Sequence, residues 1–182
     1  MSYRGYRFMP QSWSILKKKQ AGEGMYFKQS FSTPLGELLL VGTETELVGA
    51  WFTDQKYFAP ELSLEKIATI ETPALKQASA WLTEYFNGQL PTIELTLAPK
   101  VTPFRQRVLN QLRAIPYGTT VTYQELANKL ASHPRAVGGA VAHNPLSIFI
   151  PCHRVLASDG SLYGYAGGLD RKQALLELEQ IL

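Results

Sequence analysis

The pattern of the sequence changes at Ala98-Pro99-Lys100, and this change most limits what the chain can fold into. Before it, short β-prone runs are broken by turn-forming residues, a pattern typical of an antiparallel meander. After it, apolar residues recur at helical spacing. Because 182 residues suffice for two small hydrophobic cores, we predict an α+β protein of two domains, residues 25–98 and 99–182, with an extension at residues 1–24.

The first domain is predicted to contain three strands, a helix and one more strand. Thr72-Pro73 has the form of a helix N-cap followed by proline at the first helical position, and Asn87-Gly88 is typical of a helix end. Apolar residues between these two signals fall on one face of the helix. The strands are predicted at residues 27–31, 38–41, 47–52 and 93–97.

The second domain is predicted to contain a helix-turn-helix. Thr102-Pro103 repeats the N-cap signal and begins one helix. Residues 122–125, Thr-Tyr-Gln-Glu, form a capping box that begins a short helix ending near Leu130. A further helix is predicted from Arg135 to about His143. Two short helices with a tight connection are typical of a DNA-binding motif, although many such pairs only pack within a bundle.

The second helix of this pair has an unusual composition. Val137 and Val141 are spaced to face the core, and small residues are expected on the opposite side. A face of small residues lets the backbone approach another surface closely, either a neighbouring helix or a shallow DNA groove. In the second case Arg135 could reach between bases. The side facing away from the core is predicted to hold Ala136, Gly139, Ala140 and His143.

Composition narrows the class of protein. No stretch approaches the roughly 18 apolar residues of a membrane helix, and no secretion signal is expected, because the first residues lack an apolar core with a small-residue cleavage site. The single cysteine excludes an internal disulfide and a multi-cysteine zinc site. We therefore expect no metal or other cofactor and a reducing, cytoplasmic setting.

Charge is distributed unevenly between the predicted domains. The net charge is −5 over residues 25–99 and +4 over residues 100–182. Such a difference arises either by chance, from a few side chains, or because the second domain faces a polyanion such as DNA.

The only cysteine lies in the run Pro151-Cys152-His153-Arg154. A lone cysteine is usually an inert buried residue, but positive charge from His153 and Arg154 would lower the pKa of this thiol. Neighbouring residues in an extended segment point to opposite sides, so His153 need not contact the sulfur directly, and a bridging water molecule would provide the link.

A further group would have to fix the tautomer of His153. Glu179 is the candidate, because it lies at the edge of the apolar stripe predicted for Leu175, Leu178 and Leu182 on the last helix. Its spacing alone favours a solvated position beside that stripe.

Several runs resemble the O6-alkylguanine-DNA alkyltransferase family. The most specific are Asn144-Pro145, Ile150-Pro-Cys-His-Arg-Val155 and Tyr165-Ala-Gly-Gly-Leu169. The runs within residues 102–123 and 32–36 are also similar, so the resemblance extends over about residues 26–180. It implies a ribonuclease-H-like α/β first domain and a helical second domain with a winged helix-turn-helix.

The resemblance also implies an activity. Cys152 would accept, once and irreversibly, the alkyl group of O6-alkylguanine in DNA, with O4-alkylthymine left open as a second substrate. The alkylated nucleotide would have to leave the base stack, and the thioether formed is a very poor leaving group. The partner would be double-stranded DNA, bound through its minor groove by a monomer that could cluster on DNA, without a cofactor or a membrane.

Roles for individual residues follow from the same resemblance. His153 would act on Cys152 through water with Glu179 behind it, and Tyr123 would help to rotate the nucleotide and to protonate guanine. Arg135 would fill the space vacated in the base stack. The other residues implied at the site are Asn144, which shapes the turn, Val155, whose backbone meets the base, and Tyr165 and Ala166, near the alkylated oxygen.

The sequence departs from the family pattern in places. The segment from Tyr123 to Arg135 is two residues shorter than usual, so the connection between the helices must differ. Ala166 stands where serine is common, and Ala174 and Leu178 replace the usual tryptophan and histidine of the last helix.

Two other functions remain open. A lesion sensor would have the same fold and would bind alkylated DNA without chemistry, but relatives of that kind have another residue in place of the cysteine. A cysteine hydrolase would need an oxyanion hole and a histidine distant in sequence, such as His133 or His143. No other feature indicates it.

Overall fold

A computed structural model of the chain describes residues 25–60, 62–90 and 92–182; the predicted extension at residues 1–24 lies outside them. The three strands predicted first form an antiparallel meander, as expected, and two short parallel strands extend the sheet to the order β4-β1-β2-β3-β5. The fourth predicted strand is much shorter than residues 93–97. The strands are β1 (Phe27–Thr33), β2 (Gly36–Gly42), β3 (Glu46–Phe52), β4 (Ala68–Thr69) and β5 (Thr96–Leu97).

Helix α1 (Pro73–Phe86) packs on one face of this sheet. Its predicted N-cap is present, since Thr72 Oγ1 accepts a hydrogen bond from Leu75 N (3.3 Å), and the C-cap is Asn87. Burial of its apolar face against the sheet stabilises this domain. Tyr85, near the end of the helix, is only 2% exposed and reaches the second domain.

The second domain is mostly helical, as predicted. Both predicted N-caps are present: Thr102 caps one helix, and Thr122 and Glu125 form a complete capping box at another. Two short strands pair in parallel beside the helices. The elements are α2 (Pro103–Arg113), β6 (Val121–Thr122), α3 (Tyr123–Lys129), α4 (Pro134–Ala142), β7 (Val155–Leu156) and α5 (Leu169–Leu178).

Helices α3 and α4 are the predicted helix pair. The four residues that join them are compact, because Ala131 adopts a positive φ of 49° and Ser132 N donates to Ala127 O (2.9 Å). Val137 and Val141 are buried as predicted. Ala140 is also buried, at 4% exposed, so the prediction that it lines the outer side is wrong. The reason is helical geometry: Ala140 is three residues after Val137 and shares its face.

Helix α5 differs from the predicted apolar stripe at its end. Leu175 is buried and Leu178 is half-buried, but Leu182 is 62% exposed because the helix ends at Leu178. Lys172 and Leu176 are instead fully buried.

Backbone hydrogen bonds join the two domains beside the cysteine segment. Ala50 N donates to Pro145 O (2.8 Å), Ser147 N donates to Ala50 O (2.9 Å), and Lys56 N donates to Ala166 O (3.0 Å). The main hydrophobic cluster also contains residues of both parts. Within the described residues, no helix is long and apolar enough to cross a membrane.

Candidate active site

Cys152 begins a single 3-10 turn, Cys152–Arg154, that follows a buried segment. Its side chain is 5% exposed, and Cys152 N donates to Ile150 O (2.8 Å). The Sγ atom accepts a hydrogen bond from Asn144 Nδ2 (3.1 Å). The sulfur is therefore held in one position just beneath the surface.

Asn144 fixes the turn that leads to the cysteine. The residue is buried, its Nδ2 also donates to Ile150 O (2.8 Å), and its Oδ1 accepts from Leu146 N (3.0 Å). One amide thus satisfies backbone groups on both sides of the segment 145–150 and touches the sulfur, which couples the fold of this segment to the position of Cys152.

Glu179 lies directly after α5 and is 1% exposed, not solvated as its spacing alone would favour. Its Oε1 accepts from His153 Nε2 (2.8 Å) and from the hydroxyl of Tyr85 (2.6 Å). Arg154 donates to both oxygens, with Nε to Oε2 (2.7 Å) and an Nη2 atom to Oε1 (2.9 Å). Burial alone would raise the pKa of Glu179, but hydrogen bonds from His153 and Arg154 hold it at about 2. The carboxylate is ionised at neutral pH.

The ionised carboxylate sets the tautomer of His153. A carboxylate without a proton can only accept, so His153 Nε2 carries the hydrogen and donates it to Glu179. Burial lowers the pKa of His153, which keeps the ring neutral. The Nδ1 atom is then unprotonated, and it is buried without a hydrogen-bond partner among the described residues. It can therefore accept a proton.

The prediction that positive charge from His153 and Arg154 lowers the pKa of Cys152 is wrong, although the backbone of His153 does contribute a hydrogen bond that lowers it. Burial raises the pKa of this thiol, and the hydrogen bond from Asn144 and the charge of Lys172 offset only part of the rise. His153 is neutral, and the charge of Arg154 is balanced by Glu179. The resting sulfur is thus a thiol, and its activation requires transfer of its proton.

Two tyrosines lie beside the thiol. Tyr123, at the start of α3, points its hydroxyl at two loop carbonyls, Tyr163 O (3.2 Å) and Gly164 O (3.1 Å). Burial, together with the charge that Cys152 carries once it is a thiolate, raises the pKa of Tyr123 to about 12, and burial raises the pKa of Tyr165 as well. The Tyr165 hydroxyl is buried without a hydrogen-bond partner among the described residues. Both phenols keep their protons at neutral pH and can donate to a bound base.

Backbone groups of the other expected base-contacting residues are already engaged. Val155 N donates to Cys152 O, and Val155 O accepts from Lys172 Nζ (2.5 Å). The Ala166 carbonyl bonds to the first domain. A carbonyl has two lone pairs, so the Val155 oxygen retains the capacity for one more donor.

The predicted DNA-contacting side of α4 is mostly open. Arg135, Ala136 and Gly139 are exposed, whereas Ala140 faces the core. His143 is half-buried at the helix end, where its ring stacks on Tyr57 with centroids 3.8 Å apart and its Nδ1 bonds to Gly139 O (2.7 Å). None of these side chains takes part in the described hydrogen bonds around Cys152 and Glu179.

The sequence did not predict the contacts that three residues make at the site. Tyr85 belongs to the apolar face of a first-domain helix, and no local signal indicates that it meets Glu179. Arg154 was expected to act on the sulfur but binds Glu179 and Ile115 O (2.7 Å). The position of Lys172 could have been predicted from its spacing. It precedes Glu179 by seven residues, or two helical turns, and so lies on the same face.

A buried thiol, followed in the chain by a neutral histidine that donates to an ionised carboxylate, occurs here together with a helix-turn-helix. These features are typical of DNA-binding proteins with a cysteine nucleophile. Comparison with known families agrees. Residues 26–99 match the ribonuclease-like domain of 6-O-methylguanine DNA methyltransferase, and residues 103–181 match its DNA-binding domain. The chain belongs to this family, and the predicted α+β fold and family resemblance are confirmed.

Relatives resemble the chain over most of its length. The methylated-DNA–protein-cysteine methyltransferase of Methanosarcina acetivorans is 40% identical, with 82% of this chain and 95% of the relative covered. The crystal structure of the Mycobacterium tuberculosis O6-methylguanine methyltransferase has a TM-score of 0.76 at 38% identity, covering 86% of this chain and 93% of that one. A structure of the same mycobacterial protein in complex with DNA has a TM-score of 0.75, covering 85% and 92%.

Proposed function

We propose that this protein repairs DNA by direct reversal, moving the alkyl group of O6-alkylguanine to Cys152 in a single irreversible step. The observation that carries the proposal is the hydrogen-bonded series behind the thiol: His153 Nε2 donates to an ionised Glu179 and leaves Nδ1 free to accept a proton. A thiol whose proton can be transferred to such a histidine becomes a nucleophile when the substrate is bound.

The reaction begins with the proton of the thiol. It passes through a water molecule to His153 Nδ1, and the imidazolium that forms is stabilised by the carboxylate of Glu179. Arg154 and Tyr85 hold that carboxylate ionised and in place. The thiolate then attacks the alkyl carbon. An S–C bond forms as the C–O6 bond breaks, and its electron pair goes to guanine.

The leaving guanine develops negative charge, and we propose Tyr123 as the residue that shares its hydrogen with it. The tyrosine pKa of about 12 keeps the phenol protonated at neutral pH, so it can donate a hydrogen bond to the negative charge that develops on guanine. Tyr165, whose buried hydroxyl keeps its proton at neutral pH, supplies a hydrogen-bond donor to the same base. The donors at the site thus match the charge that develops on guanine as the alkyl group leaves.

The partner in this reaction is double-stranded DNA with the alkylated nucleotide rotated out of the stack. Extrusion costs a few kcal/mol, and the exposed side of α4 supports it from the minor groove, where Ala136 and Gly139 permit a close approach and Arg135 fills the gap. The second domain is net basic, which favours the phosphate backbone. A monomer contains all of these groups.

The transfer occurs once for each molecule. The product is a thioether, and this chain has no second cysteine to accept the alkyl group from it. The nucleophile must also remain a free thiol until it meets a lesion, which requires a reducing compartment such as the cytoplasm.

Mass spectrometry tests the proposal. Incubation with duplex DNA carrying O6-methylguanine is expected to add the mass of one methylene group to Cys152, with one adduct for each protein molecule. A Cys152→Ala variant should bind the same DNA and gain no mass. Binding without an adduct on the unmodified chain would identify a lesion sensor, and repeated turnover would exclude a single-use acceptor.

A second test separates extrusion from chemistry. Replacing Arg135 with alanine is expected to slow repair of duplex DNA about tenfold, which corresponds to about 1.4 kcal/mol, because nothing then fills the vacated stack. Reaction with free O6-benzylguanine should be nearly unchanged, since no duplex has to be opened. Lys129→Ala, which removes an exposed cation from the neighbouring helix, is the matched control. Equal losses on both substrates would exclude the role given to Arg135.

A further inference from the structure

We infer that Lys172 is a positioning residue that ties the wall of the site together and supplies the counter-charge for the Cys152 thiolate. The inference deepens the proposed alkyl transfer and rests on it. It concerns a fully buried lysine to which the proton transfer described above gives no part.

The ammonium group of Lys172 has hydrogen-bond acceptors but, among the described residues, no anionic partner. Its Nζ donates to three carbonyl oxygens, those of Val155 (2.5 Å), Tyr163 (2.8 Å) and Gly164 (3.3 Å). In the described part of the chain, no carboxylate forms an ion pair with it. Lysine is rarely buried without an anionic partner. A fully buried ammonium held only by carbonyls therefore points to an anion that forms during function.

The three carbonyls belong to separate segments of the site. Val155 begins β7 directly after the cysteine turn, and Tyr163 and Gly164 lie in the loop that leads to α5. Tyr123 donates to the same two loop oxygens, and Nζ of Lys172 lies 5.9 Å from the centre of its ring. One ammonium group thus fixes the loop against β7 and keeps Tyr123 in contact with both.

Cys152 provides the missing anion. The charge of Lys172 lowers the pKa of the thiol, and the charge of a Cys152 thiolate raises the pKa of Lys172, which burial has reduced to about 8. The geometry places the two groups on one segment, because Lys172 Nζ donates to Val155 O (2.5 Å) and Val155 N donates in turn to Cys152 O. When the thiol loses its proton, an uncompensated cation becomes one half of a buried ion pair.

The other ionisable groups around the thiol cannot provide this charge. Tyr123 from α3 and Tyr165 from the loop have raised pKa values and stay neutral. His153 of the cysteine turn is neutral at rest. Glu179 and Arg154 balance each other. Among the described residues facing Cys152, this leaves Lys172 as the cation not already paired.

A single helix then controls both ends of the proton transfer. Lys172 and Glu179 are two turns apart, about 10 Å along the axis, so the face of α5 and the residue after it present a cation to the sulfur and an anion to the imidazole. The separation keeps the two charges from neutralising each other and favours the charged state in which Cys152 is a thiolate and His153 is protonated.

The first experiment titrates the Cys152 thiol in the unsubstituted protein and in a variant that lacks the charge of Lys172. Thiolate absorbance in the ultraviolet is followed against pH, with Cys152→Ala as the blank. In Lys172→Met the midpoint is expected to rise by at least about one pH unit, and the rate of reaction with O6-methylguanine DNA should fall at neutral pH and partly recover at higher pH. Lys172→Arg should restore both, and Gln173→Met, an exposed change on the same helix, should alter neither.

A slower reaction with an unchanged thiol midpoint would mean that Lys172 only ties the loop to β7, and would overturn the inference.

A second measurement needs no substitution of Lys172. In the otherwise intact protein, the Nζ resonance of Lys172 is titrated by nitrogen NMR with Cys152 present and with Cys152→Ala. Its midpoint should fall when the thiol is removed, and an equal midpoint would also overturn the inference. Neither titration contains DNA, so failure of alkyl transfer itself would be detected separately by the missing adduct.

Discussion

Glu179→Gln is expected to destabilise the folded protein by about 3–5 kcal/mol, because it removes one partner of a buried ion pair. The amide has the size of the carboxylate but no charge to balance Arg154, which is 9% exposed and has its Nε 2.7 Å from Glu179 Oε2. The amide nitrogen would also face donors from His153 and Tyr85 at oxygen positions that now accept from both. Urea unfolding at neutral pH measures the loss.

The same substitution is expected to slow alkyl transfer by about 100-fold or more, the usual contribution of a general base. Without the carboxylate, His153 no longer has its hydrogen fixed on Nε2, and the imidazolium formed during proton transfer loses its counter-charge. Single-turnover kinetics with O6-methylguanine DNA measure this step. Glu177→Gln, an exposed change on α5, is the control and should alter stability by less than about 0.5 kcal/mol. Normal kinetics in Glu179→Gln would remove His153 and Glu179 from the mechanism.

Acid titration of stability provides a second signature of Glu179. Its pKa is about 2 in the folded protein against an ordinary value of 4.5, so its ionised form stabilises the fold above the ordinary value. That contribution should be lost as the pH falls from 4.5 towards 2. In Glu179→Gln this part of the pH dependence should be absent. An identical decline in both proteins would show that other carboxylates dominate acid unfolding.

Local signals in the sequence predicted the elements that depend on neighbouring residues. The N-caps at Thr72, Thr102 and Thr122 involve contacts within three positions, and all three are present. The fourth strand was predicted too long because its pairing is set by distant residues, with only Thr96 and Leu97 opposite β3.

The candidate site was predictable only where its residues form a continuous motif or match a family. The cysteine motif identified Cys152 and His153, but the sign of the thiol pKa shift depends on burial, which the motif does not contain. Tyr85 meets Glu179 across 94 positions, and Lys172 meets Val155 across 17. Contacts of this kind follow from the packing of whole elements.

Methylation of Cys152 by the reaction itself is expected to destabilise the protein. Cys152 is 5% exposed and its sulfur receives the Nδ2 hydrogen bond of Asn144, so an added methyl group is expected to crowd the sulfur and displace that amide. Insertion of a methyl group into a packed core costs about 1–3 kcal/mol. Displacement of Asn144 also strains its bonds to Leu146 N and Ile150 O, which hold the turn.

Calorimetry of the fully methylated protein, freed of DNA, measures this effect. A protein of this size loses about 2–4 °C of melting temperature for each kcal/mol, so a decrease of several degrees is expected, and a benzyl adduct should cause a larger one. Protein incubated with unmodified DNA is the control. An adduct that melts at or above the temperature of the control would mean that the segment around Asn144 accommodates the alkyl group without strain. A lower melting temperature would mean that the S–C bond, which inactivates Cys152, also destabilises the segment around Asn144 that positions the sulfur. Alkylated molecules would then differ from unreacted ones in folding stability as well as in reactivity.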